Sequence, residues 1–131
     1  MIERLAIDAN AAIDVMRPRR PDPPPLIGSK TIFLPLPVLG ELLAGAKVSM
    51  DAQRNLKRVA SLRRQCELLL PDENTANIYG DIRAMSGNVQ PLGKSKLNDL
   101  WIAALCLQHN LPLLTNDRGF DNVAGLKVIH W

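Results

Sequence analysis

The sequence predicts an α/β fold built on a largely parallel sheet. Short apolar runs recur along the chain, segments with helical periodicity separate them, and each run stops at polar or turn-forming residues. With 131 residues, 47% of them hydrophobic, the chain can bury one good core, so a single domain over residues 1–131 is expected.

Taken in order, Leu5, Ala6 and Ile7 read as a buried strand that stops at Asp8-Ala9-Asn10. Ala11 to Met16 has helical composition. Pro18, Pro21, Pro23, Pro24 and Pro25 then forbid a regular helix and make residues 17–29 an extended surface loop. Thr31 to Leu34 reads as a strand, and Pro37 opens a helix through Ala46 in which Leu39, Leu42, Leu43 and Ala46 line one side. Asp51 is positioned to cap a helix over about Ala52 to Cys66, with Leu56, Val59, Ala60 and Leu62 inward and Arg54, Lys57, Arg58 and Arg64 outward. Leu68 to Leu70 is a short strand closed by Pro71. Asp72 or Asn74 then caps a helix over about Thr75 to Met85 that uses Ile78, Tyr79 and Ile82. After a loop from Ser86 to Lys96, the helix Asn98 to Gln108 is apolar nearly all round and must be buried, with Asn110 as its stop. Leu111 to Leu114 and Leu126 to Ile129 complete the strands, with a short turn or helix at Arg118 to Val123 between them.

Charge and composition narrow the function classes. The net charge of +3 and the pI near 9.1 suit a polyanionic partner. Aromatic content of 4% argues against a broad base-stacking surface. Cys66 and Cys106 lie far apart, without zinc-ligand spacing, and read as small core residues in a reducing compartment. No run approaches a membrane span, and Glu3 and Arg4 interrupt any signal-like apolar stretch, so a cytoplasmic protein is expected. Trp101 is expected in the core. His109 and His130, isolated near element ends, read as structural or exposed and not as general bases.

The acids at strand ends are the chemically informative feature. In a parallel sheet, ligands collect outside the carboxyl ends of the strands, and Asp8 and Asp117 both follow apolar runs. If the two strands are neighbours, their carboxylates approach closely, and a hard divalent cation such as Mg2+ or Mn2+ would relieve the repulsion. Glu41 and Asp99, on adjoining helices, would extend such a site. Each acid also has a local reading. Asp8 can cap the next helix, Asp117 can serve the turn N-D-R-G, Asp99 can complement a helix dipole, and Glu41 can be a solvated helix residue.

The motifs taken together resemble a PIN-domain ribonuclease of the VapC toxin type. Asp8 ends the first strand as in I-D-x-N, E-L-x-x-G matches Glu41 to Gly45, D-x-x-I-A-A matches Asp99 to Ala104, and L-x-T-N-D-x-x-F matches Leu113 to Phe120. Their order and spacing cover nearly the whole chain, which no single short motif would make specific. The resemblance implies a three-layer α/β/α fold with four or five mostly parallel strands. It also implies a metal-dependent endoribonuclease with the acidic quartet Asp8, Glu41, Asp99 and Asp117. Of these, Asp8, Asp99 and Asp117 are the expected ligands of Mg2+ or Mn2+, while Glu41 would ligate through water or assist proton transfer. Asn10, Thr115 and Asn116 would orient a carboxylate or a bound water from behind the ligands. Arg17, Arg19, Arg20, Arg54, Lys57, Arg58, Lys94 and Lys96 are candidates for RNA phosphate contacts, although a basic helix face is also commonly just solvated. The family further implies a VapB-type antitoxin covering the acidic groove, and a homodimer. Ala9, where relatives often carry Thr or Ser, and the proline-rich stretch after residue 17 depart from the pattern.

Three other readings compete. A haloacid-dehalogenase-type phosphatase would need an acid two residues after Asp8, where Asn10 stands. A response-regulator receiver would need an acid pair after the first strand and a phosphorylatable Asp ending the third, where Leu70 runs into Pro71 and Asp72. A non-catalytic PIN-like module would bind RNA or a protein without cutting, and would have no chemical reason to keep all four acids.

Overall fold

The computed structural model describes residues 3–17, 31–86 and 97–131. Strand β1 (Arg4–Ile7) leads into α1 (Ala9–Met16), and β2 (Thr31–Pro35) runs directly into α2 (Leu36–Val48). Helix α3 (Ala52–Gln65) and β3 (Glu67–Leu69) follow, then α4 (Glu73–Ser86) and α5 (Leu97–Gln108). The chain ends with β4 (Leu113–Leu114), a 3-10 turn over Arg118–Asn122 and β5 (Val128–Ile129). Of the expected loops over residues 17–29 and 86–96, only Arg17 and Ser86 lie among the described residues, and Ser86 closes helix α4 instead of opening a loop.

The five strands form one sheet in the order β3-β2-β1-β4-β5, and every pairing is parallel. Among the described residues the sheet thus has five strands, all parallel, within the expected four or five mostly parallel ones. Each strand is short because its apolar run is short, and the burial of Leu5, Ala6, Ile7, Leu113 and Leu114 puts β1 and β4 at the centre of the core. From β1 the chain steps outward to β2 and β3, then returns past β1 to lay β4 on its other side. That reversal makes the carboxyl ends of β1 and β4 a topological switch point, where the connections diverge and leave a crevice.

Local chemistry sets the helix boundaries. Asp51 caps α3 by accepting from the Arg54 amide at 3.3 Å. Asp72 caps α4, accepting the Thr75 amide at 3.1 Å while its own amide donates to Thr75 Oγ1 at 2.9 Å. Gln108 Nε2 also reaches Asp72 at 2.9 Å, tying the start of α4 to the end of α5. Asn110 adopts the left-handed backbone expected of a helix stop, with φ 52°. Leu100 and Ile102 to Cys106 of α5 are buried, and burying each Leu or Ile contributes about 1.5–3 kcal/mol.

Four local expectations shift. Ala60 is exposed and not inward, because the buried stripe of α3 runs through Val59 and Leu62 and Ala60 turns one position away. In α2, Val38 joins Leu42 and Ala46 as the fully buried positions, while Leu39 and Leu43 lie only partly buried at the edge of the core. β3 begins at Glu67 and leaves Leu70 exposed, since its pairing with β2 ends at Pro35 and Leu69. Trp101 is only partly buried and stacks on Tyr79 with ring centroids 4.5 Å apart, joining α5 to α4.

Candidate active site

The β1–β4 register places Ala6 beside Leu113 and Ile7 beside Leu114, so the next residues, Asp8 and Thr115, face each other where the strands end. Asp8 is 4% exposed. Its Oδ1 accepts the Ala11 amide at 2.8 Å, which caps α1, and its Oδ2 accepts the Thr115 hydroxyl. The same Thr115 oxygen accepts the Asp117 amide at 3.0 Å. Asp117 in turn accepts the Gly119 amide at 2.9 Å and caps the 3-10 turn. The local roles of Asp8 and Asp117 as cap and turn residues are therefore both present, and they fix the carboxylates at the rim.

Glu41 enters from α2. Its Oε1 accepts from Asn98 Nδ2 at 3.2 Å, a bond that brings the first turn of α5, which also carries Asp99, to the α2 side of the rim. Burial raises the Asp8 carboxyl above its ordinary 3.8 and the charges of Asp117 and Glu41 push in the same direction, while the bonds from Thr115 and Ala11 pull it back. The field of Asp8 also reaches behind the rim. Burial, with Asp8 adding to it, pushes the Cys106 thiol up to about 12, so this cysteine is inert core.

Asp8, Glu41 and Asp117 thus share one electrostatic environment, with Asp99 on the adjoining helix turn. All are hard oxygen donors, the type Mg2+ and Mn2+ select. Among the described residues, no group of three or more acid, His or Cys side chains is drawn together tightly enough to hold a metal ion. The donor chemistry fits a hard divalent cation, and the four carboxylates are not already closed into a cage.

The other candidates divide. Thr115 contacts Asp8 directly, whereas Asn10 and Asn116 are exposed and make no hydrogen bond to a carboxylate among the described residues. A cleft of about 580 Å3 opens between α1, α2 and α3, with Asn10 and Glu41 at the acidic rim and Arg17, Asn55 and Arg58 also in its lining. Arg58 is aimed by Asn55 Oδ1 at 3.5 Å, and Asn55 is held by Ser49 Oγ at 2.9 Å. Arg17 sits 3.7 Å from Asp14, while Arg54 and Lys57 are exposed. Arg19, Arg20, Lys94 and Lys96 lie outside the described residues. Sequence reasoning missed Asn98, whose partner is 57 positions away, and no local pattern could have singled it out.

Comparison with known proteins places the fold. The PIN domain pattern matches residues 5–126, and the chain belongs to the PIN-domain family. It is 33% identical over 96 residues to Ribonuclease VapC5 of Mycobacterium tuberculosis, a match covering 67% of this chain and 64% of that protein. Against the structure of DNA-bound VapBC from Salmonella typhimurium the TM-score is 0.82 at 26% identity, covering 100% of this chain and 99% of the matched one. Against VapBC2 from Rickettsia felis bound to a promoter DNA fragment it is 0.83 at 21% identity, covering 98% of each chain, a likeness of fold. Membership of this family sets aside the phosphatase and receiver readings. No helix among the described residues is long and apolar enough to cross a membrane.

Proposed function

We propose that the chain is a divalent-metal-dependent endoribonuclease and the toxin of a toxin-antitoxin pair. The observation that carries this reading is the placement of Asp8 and Asp117 at the ends of adjacent parallel strands, with Glu41 close enough to act on Asp8 electrostatically. The similarity to proteins named VapC ribonucleases supports the activity, and the likeness to VapBC complexes supports a VapB-type antitoxin as partner. A homodimer and a cytoplasmic location, where RNA is reached, belong to the same proposal.

Asp8, Asp99 and Asp117 would hold Mg2+ or Mn2+, and Glu41 would ligate through water or accept a proton. When bound, such an ion polarises the phosphate and acidifies water, the chemistry that phosphodiester hydrolysis requires. The chain's own residues prepare the site. Thr115 and the Ala11 amide orient the two oxygens of Asp8, Gly119 orients Asp117, and Asn98 steadies Glu41. Like-charged carboxylates repel, so their final convergence is coupled to ion binding. Arg58 and Arg17 in the cleft, with Arg54 and Lys57 outside it, would contact the phosphates of RNA and offset the acidic rim. The RNA-contact role extends to Arg19, Arg20, Lys94 and Lys96 as sequence candidates.

The alternative is a PIN module that binds RNA or a partner protein without cutting. Incubating purified chain with total cellular RNA, in Mg2+ or Mn2+ and in chelator, separates the two. Metal-dependent fragments with defined ends support the nuclease, whereas RNA that is retained on the protein but uncut in either metal supports the binding module.

A further inference from the structure

His130 follows β5, and its imidazole joins two elements at the back of the acidic rim. Nδ1 lies 2.7 Å from the Thr115 carbonyl oxygen and Nε2 lies 2.9 Å from Asp121 Oδ1. The side chain is 16% exposed. A carbonyl only accepts, so Nδ1 carries a hydrogen and donates it. Nε2 faces the Asp121 carboxylate, on the turn that Asp117 caps. Arg118 also approaches Asp121, its Nη1 lying 4.0 Å from the opposite oxygen, Oδ2.

The residue at the other end of this bond makes it consequential. Thr115 is fully buried and is the side chain that holds Asp8 Oδ2 and accepts the Asp117 amide. Among the described residues, the backbone ladder from β5 reaches Thr115 through its amide, which donates to the Ile129 carbonyl at 2.9 Å. The Thr115 carbonyl lies beyond that ladder, and among the described residues His130 is its donor. Amide and carbonyl of Thr115 are thus both fixed by consecutive residues, Ile129 and His130, and its hydroxyl is left to set the position of both acids.

We infer that His130 is a positioning residue for the acidic site, fixing Thr115 through its carbonyl so that the Thr115 hydroxyl holds Asp8 and Asp117 ready for a divalent cation. The inference rests on the reading of the rim as a metal site. A β5 edge strand of two residues supplies little ladder of its own, so a side-chain bond beyond its end has a disproportionate effect on where Thr115 sits. Partners that orient metal ligands from behind typically control affinity by about ten- to a hundredfold.

Three variants separate positioning from simple tethering. Asparagine carries its amide nitrogen on Cγ, as His carries Nδ1, so His130→Asn can keep the bond to Thr115 and lose Asp121. Glutamine places its nitrogen near the position of Nε2, so His130→Gln can keep Asp121 and lose Thr115. His130→Ala loses both. For each, Mn2+ affinity by calorimetry, kcat and KM on RNA, and melting temperature in chelator are measured beside the unmodified chain. The inference expects His130→Ala and His130→Gln to bind Mn2+ about tenfold more weakly and to lose kcat with KM unchanged, while His130→Asn stays near the unmodified chain. Unchanged Mn2+ affinity in folded His130→Ala overturns it. Mn2+ binding that follows melting temperature across the three variants, with Asn no better than Gln, overturns it in favour of a tether. An unmodified chain that neither binds Mn2+ nor cuts RNA overturns the reading of the site and the inference with it.

Discussion

Thr115 donates its hydroxyl to Asp8 across the β1–β4 pair, joining residues 107 positions apart at the point where two central strands end. One oxygen thereby serves both acids of the switch point, giving a hydrogen to Asp8 and taking one from the Asp117 amide.

Thr115→Val tests that relationship, since the change preserves shape and removes the hydroxyl. Asp8 loses a donor and the Asp117 amide loses its acceptor in a buried setting, at a cost of about 1–3 kcal/mol. Urea unfolding should show this loss, and Mn2+ binding should weaken with it. A variant as stable as the parent and with equal affinity would place the organisation of the rim elsewhere.

The raised Asp8 carboxyl predicts a pH dependence of definite sign. Because its folded pKa lies above the ordinary 3.8, the folded chain keeps a proton that the unfolded chain releases. In chelator, this group's contribution to stability is therefore highest below 3.8 and declines as pH rises through the folded value. Asp8→Asn removes the decline, and its amide oxygen can still accept from Ala11. Urea midpoints in EDTA should show Asp8→Asn at least as stable as the parent at neutral pH, with the advantage shrinking toward acid. A variant clearly less stable at neutral pH would mean that capping dominates.

Arg58 is aimed into the cleft by Asn55, which predicts an electrostatic contact with substrate. Losing one phosphate contact on a single strand lowers the slope of log affinity against log salt by about 0.7. Arg58→Ala, measured with catalytically silent protein on RNA across a salt series, should show that reduction with stability unchanged. An unaltered slope would leave Arg58 as a solvated helix residue.

What the sequence made legible follows the range of the interactions. Caps and stops are local, and Asp51, Asp72 and Asn110 act where the pattern puts them. Strands announced themselves as apolar runs, and the adjacency of β1 and β4 could be posed as a condition from the positions of Asp8 and Asp117. Partnerships between distant residues left no such mark. Asn98 looks like any polar residue in a first helical turn until Glu41 is seen beside it, and His130 looks like an isolated strand-end histidine until its ring is found between Thr115 and Asp121. The inward placement of Ala60 failed for another reason. Alanine is small enough to sit on either side of an amphipathic stripe, so composition does not settle its direction.

The most direct test uses Asp117→Asn, because the new side chain keeps an oxygen that can accept the Gly119 amide and so separates the turn from the chemistry. Antitoxin-free parent and variant are incubated with cellular RNA in Mn2+, with folding and Mn2+ binding measured on the same samples. The account predicts a folded variant, weakened Mn2+ binding, and metal-dependent cleavage that is present in the parent and absent in the variant. Cleavage by the variant at the parent's rate, or a folded, Mn2+-bound parent that cuts no RNA, would contradict it.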